Sequence, residues 1–438
     1  MGSLFAENRL FHGNAGRVFE EAKMQDAATP EQLARIAQRW LVDSYLVLHV
    51  LPANQTSTFP PQSSDLPFPT LEFAADEIDF PDVTEAVLDN GLRIVVAKQD
   101  RLPLMDVALH VNAGSLKDTI YGTNVSSTAM QLLLAGTQDD DLGQLKNRLD
   151  EMAVLTNVTS GRDHSQAAWN SLSTHADDAM ALMSEVIRMP AFPARELQKI
   201  TDQVDSRYSS YEQDPTQSAS GLFNRAIWGE QHILGDVATA EEARSVTVEH
   251  LKVFHAAEFG PNNATLFVVS DLEPAEVIEM ARRHFGDWEQ ADPADEVVPG
   301  EAQADAGRVI LVDNPGVAQS VIVAGHLVSG FDPDTVAIKN LTNAIISGNF
   351  SSRLNMNLRE DKGWSYGITG SIGQPRRGQG VMAISGSVQT DKTAASLAEI
   401  RNELSRFVTD MPATQAELER ERLASLMGHA SSYTTTGD

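Results

Sequence analysis

Two side chains in this 438-residue sequence have types and a spacing suited to chemistry on an anionic oxygen: Arg359 and Tyr366. A guanidinium keeps its charge and a phenol hydroxyl donates a hydrogen bond, so the two together can steady negative charge on an oxygen held between them. They lie seven residues apart in the stretch Gly348 to Gly367, GNFSSRLNMNLREDKGWSYG. On spacing alone they read as a solvated helix arginine and a half-buried strand tyrosine. Metal chemistry has weaker candidates. Of 11 histidines the nearest pair is His250 and His255, and a five-residue separation points them to different helix faces. His110 and His164 read as buried, hydrogen-bonded groups or surface groups before they read as ligands. The run Asp139–Asp141 reads as a solvated loop. The sequence has no cysteine, so disulfides, thiolate nucleophiles and cysteine metal sites are excluded. No phosphate-cradling glycine loop, nucleophile elbow or redox motif occurs.

The elements that must position the pair are legible around it. Leu341, Ile345, Ile346, Leu354 and Leu358 fit a helical period, and Gly363 stops the helix. Trp364, Ser365 and Tyr366 open a strand. Arg359 then sits near a helix end and Tyr366 at a strand start. Farther out, the chain repeats itself. Thr29-Pro-Glu-Gln-Leu followed by a Tyr45–Leu51 strand recurs as Thr247-Val-Glu-His-Leu followed by a Leu266–Val269 strand, in each case a threonine N-cap, a short amphipathic helix and a strand. Leu4-Phe5 and Leu222-Phe223 keep the same offset of 218 residues. Met189-Pro-Ala pairs with Met411-Pro-Ala, and Ser209-Ser-Tyr with Ser431-Ser-Tyr. Arg93-Ile-Val-Val, ending at Ala113-Gly114, parallels Arg308-Val-Ile-Leu, ending at Ser329-Gly330, and the short connections predict a hairpin-like start to both modules.

The repeat sets the expected domains. Residues 1–52 are the tail of a preceding module and 53–80 a Pro/Ser/Thr-rich linker. Residues 81–272 form a complete module, 286–306 a second linker, and 307–438 a truncated module carrying Arg359 and Tyr366. Strands at the start, helices through the middle and a closing strand predict an α+β fold, a sheet covered by helices on one face. Residues 1–52 are expected to dock on 307–438 and complete it, within one chain or by exchange into a swapped homodimer, with Tyr45–Leu51 pairing in the sheet that holds Val309–Val312. The balance of 33 basic against 61 acidic residues argues against nucleic acid and anionic membrane as partners. No run approaches the roughly 18 apolar residues of a membrane helix.

The stretch Ser351-Ser-Arg-Leu, Leu358-Arg-Glu and Gly363-Trp-Ser-Tyr, with Leu88-Asp-Asn-Gly-Leu-Arg-Ile-Val-Val and Asn112-Ala-Gly-Ser, resembles the pitrilysin, insulinase and mitochondrial processing peptidase family. The resemblance covers nearly the whole chain and implies tandem processing-peptidase-like modules. In that family Arg359 and Tyr366 would reach substrate at a zinc site held by another half. The family's zinc sits on an HxxEH helix, two histidines at i and i+4 with a glutamate activating water. Its counterpart here is Asn124 to Thr137, where those positions fall on Ser127, Met130 and Gln131, and the third ligand position falls on Arg207. None of the four suits zinc. The resemblance therefore implies a non-catalytic half of a zinc metallopeptidase, with no cofactor of its own and zinc on an HxxEH-bearing partner half. The implied substrate is a peptide, and the implied compartment is periplasmic or otherwise extracytoplasmic, with cytoplasm the alternative. The competing readings are a structural or assembly role and a free peptide-binding module.

Overall fold

The computed structural model describes residues 2–40, 82–236, 238–302 and 307–432. The chain divides into two compact units, residues 1–70 and 71–438. The first, over its described part, is three helices, Gly2–His12, Arg17–Asp26 and Pro30–Trp40. Thr29 caps the third: its hydroxyl accepts from Gln32 N while Gln32 returns a bond to Thr29 N. That helix is strongly amphipathic in sequence, and its apolar residues Leu33, Ile36 and Trp40 are exposed. The predicted strand Tyr45–Leu51 lies outside the described residues.

The second unit is built on two sheets. The first has strands β1 (Val83–Val87), β2 (Arg93–Lys98), β3 (Leu104–Val111), β4 (Leu155–Ser160), β5 (Ser165–Leu172) and β6 (Ala264–Ser270), in the order β1-β2-β6-β3-β5-β4. The sequence dictates this by period two. Ile94 and Val96 on β2, Val107 and Leu109 on β3, Ala167 and Trp169 on β5, and Leu266 and Val268 on β6 all point to one buried face. Helices Val125–Leu133, Ala176–Arg188, Val248–Glu258 and Pro274–Phe285 cover that face with Met130, Leu133, Met180, Met183, Leu251, Phe254, Val277 and Phe285, forming one core. Thr247 caps the third of these, accepting from His250 N.

The predicted hairpin of β2 with β3 does not form. β6 lies between them, parallel to β2 and antiparallel to β3. The hairpin is instead β1–β2, turned by Asp89, Asn90 and Gly91, where Gly91 takes φ 97°. The physical reason is β6 itself. Its Ala264, Leu266 and Val268 side chains are buried, so the strand that closes the module belongs at the sheet's centre, not on its rim.

The second sheet has β7 (Gln319–Val328), β8 (Ser365–Ile372) and β9 (Gly380–Gln389), all antiparallel, in the order β7-β9-β8. It repeats the β3-β5-β4 half of the first sheet. Helices on one face bury Ile322, Ile346, Leu354, Leu358, Ile368, Ile384, Val388 and Ile400. The expected leading strand at Val309–Val312 is absent: those residues carry no regular structure and lie outside any ladder, and Val309 and Leu311 are exposed. In the first sheet the equivalent β2 is held by β1 and β6, and among the described residues no strand plays either part here. The helix expected across Leu341 to Leu358 is also interrupted. It runs Val336–Asn343, widens into a π-turn over Ala344–Gly348, breaks at residues 349–352, then resumes as Arg353–Asn355 and a second π-turn, Met356–Asp361.

The segment 286–302 carries no regular structure after its first residues, as its composition predicts, yet it is tied down. Lys117 Nζ donates to Ala294 O, Asp295 O and Glu258 Oε1 (2.5, 3.3 and 3.1 Å), and Glu258 Oε1 also accepts from Ala294 N and Tyr121 Oη. Both charged groups are buried, and each is satisfied by the other and by backbone.

Candidate functional site

The stretch around Arg359 is held rigid from beneath. Leu354 and Leu358 are fully buried. Asn355, also buried, clamps the start of β8. Its Nδ2 donates to Ile368 O and its Oδ1 accepts from Ile368 N, both at 2.8 Å. Gly363 turns the chain with φ 63°, and Trp364 N donates back to Leu358 O at 2.9 Å. An extra residue then bulges from β8 between Ser365 and Ile368, and Tyr366 stands in that bulge at 88% exposure.

Two arginines six residues apart meet opposite fates here. Arg353 is consumed by structure: Nε and Nη2 donate to Glu417 at 2.7 Å each, Nη1 to Met411 O and Nη2 to Pro412 O, and its guanidinium lies over Phe407 at 5.0 Å. Arg353 pulls the Glu417 carboxyl down to about 2, helped by Thr414 N and Oγ1. Arg359 has only an exposed pairing with Glu360 at 3.4 Å and the Phe350 ring 4.8 Å beneath it. Its side chain is partly exposed, at 38%, on a π-turn, a local geometry frequent at functional sites. Arg359 and Tyr366 thus flank the one turn that joins this helix to β8. Sequence reading missed the supporting cast: Phe350 under Arg359, Asn355 bonded to Ile368 in β8, and the Arg353–Glu417 brace. The brace had a signal, since Thr414 and Glu417 form an N-terminal capping pattern.

Of the four positions matched in sequence to the family's zinc site, Ser127, Gln131 and Arg207 to ligands and Met130 to the water-activating glutamate, three fall on helix Val125–Leu133 and Arg207 on helix Val204–Gln213. Met130 is in the core, Gln131 and Arg207 are exposed, and the Ser127 hydroxyl donates to Asn124 O. A thioether packed among Leu and Val, a neutral amide and a guanidinium do not make a donor set for zinc. Among the described residues no three His, Asp or Glu side chains converge elsewhere. His110 and His164 do meet, stacked with ring centroids 5.0 Å apart and Phe267 beside His110. Burial and the neighbouring imidazole both lower the His110 pKa, as expected of a packed pair.

The unit thus has two helix-covered sheets, the second repeating half of the first, with Arg359 and Tyr366 at a helix–strand turn of the second. The model of the insulinase family, peptidase family M16, matches residues 93–239, and that of the peptidase M16 inactive domain matches residues 245–424. The chain belongs to peptidase family M16. It is 21% identical to an uncharacterized zinc protease of Rickettsia bellii over 76% of this chain and 80% of that one. It is 22% identical to the zinc protease YmxG of Bacillus subtilis, with the same coverage of each. Among solved structures, it is similar to the peptidase M16 inactive domain from Pseudomonas fluorescens (TM-score 0.71, 22% identity, 80% of this chain and 86% of that one). It is also similar to the periplasmic protease PqqL from Escherichia coli, at a TM-score of 0.69 and 12% identity. That match covers 93% of this chain but only 44% of PqqL.

Proposed function

We infer that this chain is the non-catalytic half of a two-half zinc metallopeptidase, working on peptide bound at a zinc site carried by an HxxEH-bearing partner half. It forms one wall of the substrate chamber and supplies contacts to the reacting peptide. The observation that supports this reading is the contrast between Arg353, bound through Nε, Nη1 and Nη2 to a half-buried carboxylate and to backbone, and Arg359, whose guanidinium meets the partly exposed Glu360 carboxylate at 3.4 Å and the Phe350 ring. The partner's metal supplies the hydrolytic nucleophile. In this chain Arg359 and the Tyr366 hydroxyl donate to the carbonyl oxygen as it gains negative charge, and the π-turn and Asn355 clamp keep both from reorganising during the reaction. The periplasmic neighbour supports an extracytoplasmic location. With the two halves combined, Tyr366→Phe is expected to lower kcat by on the order of 10²–10³, the usual loss for one oxyanion donor, with KM little changed. Full activity in both Tyr366→Phe and Arg359→Ala, with the halves still associated, would refute the role.

A further inference from the structure

The face of the second sheet turned away from its helices is not bare. On β8, Ile368 and Gly370 are buried toward the helices, whereas Thr369 and Ser371 point the other way and are exposed. The same open face carries Val323 on β7 and Val381, Ala383 and Ser385 on β9. Helix Pro215–Trp228, from the first half of the unit, crosses over it. Between helix and sheet lies a cavity of about 600 Å³, walled by Phe223 and Trp228 and floored by Val323, Val381, Ala383 and Ser385. Its volume is within the range of small-molecule pockets, roughly 300–1,000 Å³, and so exceeds what one apolar side chain needs.

The cavity is a built feature. Phe223 is seated on Gly325, where an added Cβ would lie 2.9 Å from the Phe223 ring and 2.2 Å from Met382 O. Trp228 is flanked by the stacked His232 ring at 5.0 Å and by the Arg162 guanidinium at 6.0 Å. Arg162 in turn donates to Arg377 O and Gln379 O, at 2.8 and 3.3 Å, so it fixes the β8–β9 loop as the pocket's far rim. Asp163 pairs with Arg377 at 3.9 Å, and Arg377 also contacts Glu296. The Arg162 Nη groups are thus engaged with backbone and Arg377 with acidic partners, while Arg162 Nε, Asp163 Oδ1 and Gln374 Oε1 are buried without a hydrogen bond among the described residues. What the cavity offers a ligand is an aromatic wall, a small-residue floor and the hydroxyl groups of Ser220, Ser371 and Ser385.

We propose that this pocket is a second peptide-binding site, taking one large apolar side chain of an extended peptide. This deepens the reading of Arg359 and Tyr366 and rests on it for the substrate class. The two sites share β8: Tyr366 stands at its beginning and Ser371 and Gly373 line the pocket at its end. Seven residues from Tyr366 to Gly373 span about 23 Å of strand at roughly 3.3 Å each. A peptide extended along β8 spans this distance, which sets an apolar residue about seven positions from the residue at Tyr366. The floor of Ala383 and Ser385 leaves room for its side chain.

The test uses the full chain and a Gly/Ser-rich peptide of about ten residues, long enough for the span. One version carries p-benzoylphenylalanine as an apolar photo-probe, another a single Phe with a fluorescent label, and a third Ser in place of that Phe. Irradiation is expected to cross-link the probe within residues 220–228 or 371–385, and cross-links mapped only elsewhere overturn the proposal. By anisotropy the Phe peptide should bind about tenfold or more tighter than the Ser peptide, a margin consistent with burying one apolar side chain. Phe223→Ala and Ser385→Leu, each checked by its melting curve, should abolish that preference. If Phe223→Ala does not fold, Ser385→Leu and the cross-link decide, and an unchanged preference in folded Ser385→Leu overturns the proposal. Arg359→Ala should leave the cross-links in place. Cross-links in the pocket with full activity in Arg359→Ala and Tyr366→Phe would fail the oxyanion reading alone. Lost activity in those variants without pocket cross-links would fail this one alone.

Discussion

The Arg353–Glu417 brace gives the sharpest test of the division of labour between the two arginines. In Glu417→Gln the side chain keeps one acceptor oxygen and loses its charge. Glu417 receives two bonds from Arg353 at 2.7 Å and two from Thr414 at 2.8 Å. Hydrogen bonds to a charged group contribute about 1.5–3 kcal/mol each, and the variant retains part of the set, so a loss of about 2–3 kcal/mol is expected. That lowers Tm by roughly 3–4 °C for a unit spanning residues 71–438. The pH dependence follows from the depressed Glu417 pKa. Folded, the carboxyl titrates near about 2 against an ordinary 4.5, so the unfolded chain takes up the proton first as pH falls. The stabilisation is complete above the ordinary value and is lost as pH drops toward the folded one. Melting curves of wild type and Glu417→Gln should therefore be separated by a constant gap from about pH 8 to about pH 5, and the gap should close as pH falls below about 4.5. Arg359→Ala, run beside them, should shift Tm by less than about 2 °C, because its pairing is exposed. A gap that persists undiminished at about pH 3, or an Arg359→Ala as unstable as Glu417→Gln, would refute the assignment of Arg353 to structure and Arg359 to substrate.

Asn355→Ala should cost about 2–4 kcal/mol, since it strips partners from Ile368 N and O in the buried start of β8. In the combined halves it should also lower kcat, and a melting curve with unchanged activity would show that Tyr366 needs no such clamp. Lys117→Met should cost about 3–5 kcal/mol, because Glu258 is left buried without its cation, and denaturant titration reads that loss directly. Lys117→Met with Glu258→Leu should recover much of it, a result that would separate lost pairing from lost packing.

What could be read from sequence was decided by period and by capping. Ile94, Val96, Leu266 and Val268 alternate cleanly, and Thr247 announces a helix whose Leu251 and Phe254 are fully buried. Arg359 near a helix end and Tyr366 at a strand start were equally legible, because Gly363 punctuates the turn between them. Strand order was not, since the short β2–β3 connection argues for pairing and the long-range competition of β6 leaves no local mark. Val309–Val312 shows the same limit. Its residues are strand-like, but ladders need partners and β-propensity does not supply them. The π-turns that expose Arg359 arise from how residues 344–361 pack, which no residue pattern there encodes. The cavity by Phe223 and Trp228 escaped because its wall and floor come from segments 95 or more residues apart (323 − 228 = 95).

The grip of Lys117 on residues 294 and 295 has a consequence for how this protein meets proteases. A run rich in Ala, Asp, Glu and Pro without regular structure is the composition that nicking enzymes favour, yet cleavage requires several residues to unfold into an active site. Here that unfolding would have to withdraw two carbonyls from a buried ammonium and an amide from a buried carboxylate, so local opening approaches the difficulty of opening the core beside it. The stretch at Ala294 and Asp295 is thus a resistant point, and limited digestion is expected to cut there more slowly than its composition alone would suggest.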